Sequence, residues 1–179
     1  MNVINLNRVK ILIAACILMA IILNARPIIT DDVKIKISYT SNDVDKNIDL
    51  VCFILKDNKL QSKKDIVFYN NKISDDNNIV LTSNGKQHST EQTIRLKLKH
   101  DVKYDKVVVY AVVYDTKGYC IKDFSDLSIN GVKYNTNKVA SSLRLFTAKK
   151  DKIGWKYNRT KALSKCNLED LCRRYNLVE

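Results

Sequence analysis

The sequence predicts a mainly β protein: a β-sandwich of antiparallel strands with a short C-terminal helix and an N-terminal apolar segment. Three observations support this prediction. Residues 48–55 form a near-continuous apolar run of strand length, residues 33–39 alternate apolar and polar side chains, and Asn130-Gly131 separates two short apolar-polar segments. Several short strands separated by turn signals are typical of a β-sandwich.

The chain has the size of one domain and is strongly basic. It has 179 residues, 45% of them hydrophobic, and a formal net charge of +12. Such a charge favours acidic partners, either an acidic protein or an anionic membrane surface, through the field of the whole surface. The alternative is a solvated basic surface, because the lysines alternate with apolar residues along the predicted strands. No specific nucleic-acid-binding motif accompanies the charge.

Residues 1–30 are predicted to be a separate N-terminal segment ahead of a domain of residues 31–179. Residues 11–23 are an unbroken apolar run with Lys10 before it and Arg26 after it. The run is shorter than the about 20 residues of a membrane span, and its length fits the apolar core of a signal peptide or signal anchor. We therefore expect membrane association through this segment. In the alternative, the segment is a buried first strand or helix of the domain and the protein is cytoplasmic.

Side-chain alternation within the domain predicts which strands face solvent. Residues 33–39 and 94–98 alternate apolar with polar or basic residues, which is the period of a strand with one wet face. Residues 48–55 are apolar enough for a central strand, and residues 107–114 do not alternate, which predicts that both their faces are covered. Residues 66–69 are a second, shorter apolar run between polar residues.

The C-terminal part of the domain has a hairpin signal, two further strands and a helix. Asn130-Gly131 predicts a type I′ turn, because that turn needs positive φ at both central residues. Residues 139–146 and 153–158 are predicted strands, with Gly154 at the bend between them. Asn167 is a predicted helix cap, and the apolar residues that follow it, up to Tyr175, fall on one helical face.

Signals for catalysis are weak. The five cysteines form no CxxC pair and no metal-binding spacing with histidine, and we expect thiols, although export would allow four of them to form two disulfides. His88 and His100 lie in polar stretches without a Ser or Cys nucleophile motif beside them. The chain also has no phosphate-binding glycine loop and no zinc-helix motif. The sequence therefore predicts a protein that is not an enzyme.

One segment resembles a known family. The apolar run of residues 49–55, a polar turn at Asp57-Asn58 and the stretch DIVFYNN at residues 65–71 are similar, in this order, to the TerD family of tellurium-resistance and stress-response proteins. Members of that family carry a similar FVFYNN element. The resemblance continues in order over about residues 33–178, in segments at 94–98, 104–115, 143–146, 154–157 and 168–176. It identifies the chain as a divergent member of the family.

The resemblance implies a calcium site. In TerD-like proteins, calcium binding is associated with acids near the first central strand, with the Asp before FVFYNN and with an acidic, glycine-rich loop that ends in Glu. The matching residues here are Asp49, Asp65, Asn71 and Glu91. The site is expected to be weak, because Asn47 replaces an Asp and residues 83–90 replace the acidic run. In the alternative, these acids only cap strands and pair with surplus lysines.

The resemblance also implies a function. It favours a non-enzymatic TerD-like binding or scaffold protein of a stress-response or tellurium-resistance system, with calcium as its only expected cofactor. The alternative is an exported or surface β-sandwich module that uses a basic face to bind acidic partners. The N-terminal segment distinguishes the two, because only the second requires export.

Overall fold

The chain folds into two packed antiparallel sheets, which confirms the predicted fold class. A computed structural model describes residues 28–29, 32–40, 43, 46–86, 89–114, 118–124 and 126–176. In chain order the elements are β1 Ile28–Ile29, β2 Asp32–Thr40, β3 Asn47–Leu55, β4 Ile66–Val67, β5 Ile79–Lys86, β6 Ser89–Lys97, β7 Lys106–Tyr114, β8 Ser128–Ile129, β9 Val132–Lys133, β10 Ser142–Lys150, β11 Trp155–Ser164 and the helix α1 Leu168–Arg174.

The two sheets enclose the main core. Sheet A has the strand order β1-β11-β10-β7-β3-β4, and sheet B has the order β5-β6-β2-β8-β9. The main core lies between them and includes Ile35 from β2, Leu50 from β3, Ile94 from β6 and Val109 from β7. Alternate residues of β2 and β6 therefore point inward, as their period predicts.

The central strands of sheet A are buried on both faces. Val107 and Val109 of β7 belong to the core between the sheets, whereas Val108 and Tyr110 belong to a second apolar cluster on the other face. Strand β3 divides its side chains in the same way. The continuous apolar runs of both strands follow from this double coverage.

Helix α1 covers the second face of sheet A. The side chain of Asn167 accepts a hydrogen bond from the backbone N–H of Asp170, and the Asp170 side chain bonds back to the Asn167 N–H, so both halves of a capping box are present. Leu171 and Tyr175 pack into the second apolar cluster. The helix and its cap are where the sequence predicts them.

The predicted hairpin at Asn130-Gly131 is also confirmed. It joins β8 to β9, and its two central residues have φ of 50° and 80°. These values are the left-handed conformation that a type I′ turn requires. The turn is held to sheet B because the Asn130 side chain accepts a hydrogen bond of 2.9 Å from the Lys36 N–H.

Several predicted boundaries are wrong. The strand predicted at residues 139–146 begins at Ser142 and continues to Lys150, and the one predicted at 153–158 continues to Ser164. Residues 66–69 form only the two-residue β4, because the chain turns back after Val67. The stretch 83–90, predicted as a loop, contributes to β5 and β6, which pair with each other up to Lys86 and Ser89. Its polar residues are compatible with strands because β5 is an edge strand.

Most of the predicted N-terminal segment, including the run 11–23, lies outside the described residues. Its last part does not, because Ile28–Ile29 pair with β11 at the edge of sheet A. Cys16 is also outside, whereas Cys52, Cys120, Cys166 and Cys172 are free thiols. Within the described ranges, every helix is too short or too polar to span a bilayer.

Candidate functional site

The outer face of sheet B forms a shallow basic groove. It has a volume of about 480 Å³ and runs across β5, β6 and β2. We call it the basic groove and define it by its lining residues: Lys34, Lys36, Asn77, Asn78, Val80, Thr82, Glu91, Thr93, Arg95 and Lys97.

Strand register explains why these cations gather. The inner positions of β2 and β6 carry uncharged residues, most of them apolar, and the basic residues of both strands all point to the outer face. Lys34 lies directly opposite Arg95 across the β2–β6 pair. Like charges at directly opposed positions destabilise a sheet, so this pairing is expected to be offset by acids nearby or by an acidic ligand.

Two acids offset part of this charge. The Arg95 Nε donates to Asp32 Oδ2 over 2.8 Å, and this hydrogen bond is the main cause that lowers the pKa of the Asp32 carboxyl. Lys36 Nζ lies 2.6 Å from Glu91 Oε2. Among the described residues, Lys34 and Lys97 form no ion pair within 4 Å. The groove thus keeps two cations that no acid of the described ranges pairs with.

Glu91, a predicted calcium ligand, therefore belongs to the basic groove. Its carboxylate faces the outer side of sheet B and is paired with Lys36. Its neighbour in sequence, Gln92, points the opposite way into the protein. Successive side chains of a strand point to opposite faces of the sheet. Glu91 therefore lies on the outer face of sheet B, away from the other predicted ligands.

Asp49, the second predicted ligand, lies in a buried polar cluster at the edge of β3, on the same face of the strand as Val51. Only 7% of the residue is exposed. Its Oδ1 accepts a hydrogen bond of 2.7 Å from Gln92 Nε2, and its Oδ2 accepts one of 3.2 Å from Asn47 Nδ2. Burial raises the pKa of the Asp49 carboxyl and outweighs these two hydrogen bonds, which lower it.

The polar cluster extends to Tyr39 of sheet B. The Tyr39 hydroxyl donates to Asn47 Oδ1 and accepts a hydrogen bond of 3.2 Å from the Ile48 N–H. Beside Asp49, the cleft between Tyr69 and Tyr114 has a volume of only about 10 Å³. A space of that size holds about one water. The sequence does not predict Gln92 as a site residue, because its partners in β3 are more than 40 residues away. It does not predict Tyr39 either, because the tyrosine follows the apolar alternation of β2.

Asp65 and Asn71, the other two predicted ligands, stabilise the turn between β3 and β4. Asp65 Oδ2 accepts hydrogen bonds from the backbone N–H groups of Ser62 and Gln61, over 2.8 and 3.0 Å. Asn71 Nδ2 donates to the carbonyl oxygens of Ile66 and Lys64, over 2.8 and 3.1 Å. Both side chains therefore have local structural partners.

The four predicted ligands do not come together. Ile66 pairs with Phe53, so Asp65 lies next to the C-terminal end of β3, whereas Asp49 is near its N-terminal end. At about 3.4 Å per residue this separates the two carboxylates by roughly 15 Å along the strand. Within the described residues, no three acidic, histidine or cysteine side chains are grouped so that they could hold a metal ion. One calcium ion shared by all four residues does not fit this arrangement.

Asp65→Ala tests the structural role of this carboxylate against the calcium role. We expect the free energy of unfolding to fall by about 1 kcal/mol, the typical cost of a lost cap, and to fall equally in excess calcium and in chelator. Thermal and denaturant unfolding measure it. The control is Asp101→Ala, an exposed acid with no hydrogen bond in the described structure, which should change little. A calcium-dependent rise in stability that Asp65→Ala abolishes would contradict the structural role.

Only one of the two histidines, His100, lies in the part of the chain that the structure describes. His88 lies outside the described residues, and His100 is exposed in the loop before β7, with its Nε2 3.2 Å from the Ile153 carbonyl oxygen. The prediction that neither takes part in catalysis stays a prediction.

The comparison with known families finds a match that covers most of the described domain. The family model described as TerD domain matches residues 21–144, which is more than half of the chain. This range includes β1 to β9 and all the residues that line the basic groove. No curated protein matches the chain.

Proposed function

The chain belongs to the TerD family of tellurium-resistance proteins, and we propose that it is a non-enzymatic binding or scaffold protein that holds an acidic protein segment in the basic groove. The observation that supports this proposal is the pair of cations, Lys34 and Lys97, that line a concave surface and form no ion pair within 4 Å with any acid of the described ranges. The stress-response role and the absence of catalysis are carried over as predictions from the sequence.

The spacing of the cations suits an extended acidic segment. Lys34 and Lys36 are two residues apart on β2 and point to the same side, so their Cα atoms are about 7 Å apart. Acidic side chains at alternate positions of an extended segment repeat at the same distance. Val80 and Thr82 of β5 supply less polar surface along one side of the groove. A concave surface also contacts a protein segment better than a flat bilayer.

The expected affinity of the basic groove for an acidic segment is modest. Exposed ion pairs contribute about 0.2–1 kcal/mol each. The groove has four cations, two of them paired with Glu91 and with the neighbouring Asp32, which leaves room for a few such pairs. We therefore expect moderate affinity that falls as salt is added, because a Debye length of about 8 Å at physiological ionic strength screens exposed charges. Such binding is typical of a scaffold whose partners exchange.

The test is the affinity for a synthetic peptide that alternates glutamate with threonine. The double variant Lys34→Glu with Lys97→Glu is expected to bind at least about tenfold more weakly, because each reversal replaces an attraction by a repulsion and changes the free energy of binding by roughly 1 kcal/mol. Calorimetric titration of the full chain measures this change.

The matched control changes the net charge equally but elsewhere. Lys59→Glu with Lys63→Glu alters two exposed lysines near the β3–β4 turn, on the other sheet. We expect this variant to keep most of the affinity. Equal losses in the two double variants would contradict a specific groove and would leave only the overall charge as the cause of binding.

The alternative function uses the same groove in another location. An exported or surface module would bind its acidic partner outside the cytoplasm. Cell fractionation of the intact chain, together with sequencing of its N-terminus, distinguishes this alternative from a stress-response protein inside the cell.

A further inference from the structure

One end of the sandwich presents an exposed apolar residue among lysines. Ile153 is at the turn between β10 and β11, and 65% of it is exposed. The Asp151 Oδ1 accepts hydrogen bonds from the backbone N–H groups of Ile153 and Gly154, over 2.8 and 3.1 Å. Lys152 is the neighbouring residue and is exposed as well. The turn is therefore held in one shape that keeps Ile153 at its surface.

The loop that precedes β7 packs against this turn. Trp155 Nε1 donates to the Lys99 carbonyl over 2.8 Å, and Lys150 Nζ donates to the Val102 carbonyl over 2.6 Å. These contacts bring further exposed lysines to the same end. We define the lysine tip as Ile153 with the five exposed lysines around it: Lys99, Lys103, Lys149, Lys152 and Lys156.

Acids only partly neutralise the lysine tip. Lys149 and Lys156 lie directly opposite each other across the β10–β11 pair, which is unfavourable for like charges. Asp151 lies 2.6 Å from Lys156 and is occupied by that ion pair. Asp105 is occupied by Lys56, 3.3 Å away, so Asp101 is the remaining exposed acid of the two loops. The tip keeps a positive excess.

The N-terminal segment joins the domain beside this tip. In the β1–β11 pair, Ile28 lies opposite Lys156 and Ile29 opposite Trp155. The apolar run 11–23 ends five residues before Ile28. Five extended residues span at most about 17 Å. The lysine tip is therefore within a short reach of any surface to which that run binds.

We propose that the lysine tip is a contact site for anionic lipid, in which the lysines face the headgroups and Ile153 enters the interface. Lysines near an anionic bilayer are attracted to it, and the attraction fades within a Debye length. An apolar side chain at the apex of a convex turn gains by leaving water for the interface. The site is distinct from the basic groove, so it goes beyond the function proposed above.

The opposite end of the molecule provides a matched comparison. Val139 is 62% exposed and follows the exposed Lys138, in the segment before β10. It therefore repeats the local pattern of a lysine followed by an exposed β-branched residue. It lies where β10 begins, whereas the tip lies where β10 ends. Only the tip is beside β1.

The experiment uses the full chain and places a tryptophan at one end of the sandwich or at the other. Ile153→Trp and Val139→Trp are added to vesicles of phosphatidylcholine alone, or of phosphatidylcholine mixed equally with phosphatidylglycerol, with brominated acyl chains as quencher. The native Trp155 is buried and gives a constant background. We expect quenching for Ile153→Trp in the anionic vesicles, little in the neutral ones, and little for Val139→Trp in either. Salt at about 1 M, where the Debye length is about 3 Å, should abolish it.

Charge reversal in the Ile153→Trp background sharpens the test. Lys149→Glu with Lys152→Glu should lower the bound-to-free ratio of the tip by at least about fivefold per lysine. Lys133→Glu with Lys138→Glu, exposed lysines at the other end, should not lower it. Equal quenching at positions 153 and 139, or no quenching at 153, would overturn the proposal. The groove variant Lys34→Glu alone, without the change at Lys97 beside Lys99, should leave the quenching unchanged, so failure here is distinguishable from failure of the proposed function.

Discussion

Gln92→Leu is expected to lower the free energy of unfolding by about 3 kcal/mol. Gln92 is 4% exposed and connects the two sheets. Its Oε1 accepts a hydrogen bond of 2.7 Å from the Leu50 N–H, and its Nε2 donates to the Ile48 carbonyl and to Asp49. Leucine removes all three bonds and leaves buried groups without partners, each of which costs about 1–3 kcal/mol.

The topology of sheet A explains why these backbone groups depend on a side chain. Strand β4 pairs with β3 only at Cys52 and Phe53. Among the strands that the structure describes, none pairs with the edge of β3 before that point on this side. Gln92 supplies from sheet B the donor and acceptor that a longer β4 would have supplied. The backbone N–H and C=O groups of a buried strand edge need hydrogen-bond partners. Replacing Gln92 is therefore expected to have a large effect on stability.

Chemical denaturation of Gln92→Leu, followed by circular dichroism, measures the loss. The matched control is Gln61→Leu, the same substitution at an exposed position where Gln61 Nε2 donates to two backbone carbonyls over 3.3 Å. We expect that control to change the free energy by no more than about 0.5 kcal/mol, as for most surface substitutions. A loss in Gln92→Leu as small as in the control would show that water replaces the amide, which would contradict a dry inter-sheet bridge.

The part of the fold that could be predicted is the part that local pattern determines. The two-sided apolar runs of β3 and β7, the alternation of β2 and the cap at Asn167 each appear within a few residues of sequence. The ends of β10 and β11 were mispredicted, because polar residues there lie on the outer face of sheet A, where strand pairing rather than burial sets the length.

The candidate site is harder to predict from the sequence than the fold. Asp49 and Gln92 are 43 residues apart, and their contact depends on how two sheets pack. No local pattern contains that information. The predicted calcium ligands rest on a family resemblance, which gives their order in the chain but not the distance that β3 puts between Asp49 and Asp65. The alternation of lysines, in contrast, already indicated the wet face that becomes the basic groove.

Leu171→Ala, in helix α1, is expected to have a similarly large effect. Leu171 is fully buried in the second apolar cluster, together with Val51, Phe53 and Tyr110 of sheet A. Replacing a buried leucine by alanine typically costs about 2–5 kcal/mol, and we expect about 3 kcal/mol here. The helix is too short to be stable by itself, so a loss of this size should release it from the sheet while the core between the sheets remains.

The neighbouring contacts determine how that loss would be observed. Tyr175 packs on Phe53 with ring centroids 5.1 Å apart, and its hydroxyl lies 3.0 Å from that of Tyr110. If α1 leaves the sheet, near-ultraviolet circular dichroism and hydrogen exchange should report exposure of β3 and β7 before global unfolding. Leu168→Ala is the control, since Leu168 is only partly buried, and should cost about 1 kcal/mol. Equal, small losses in both variants would mean that α1 contributes little to the stability of sheet A.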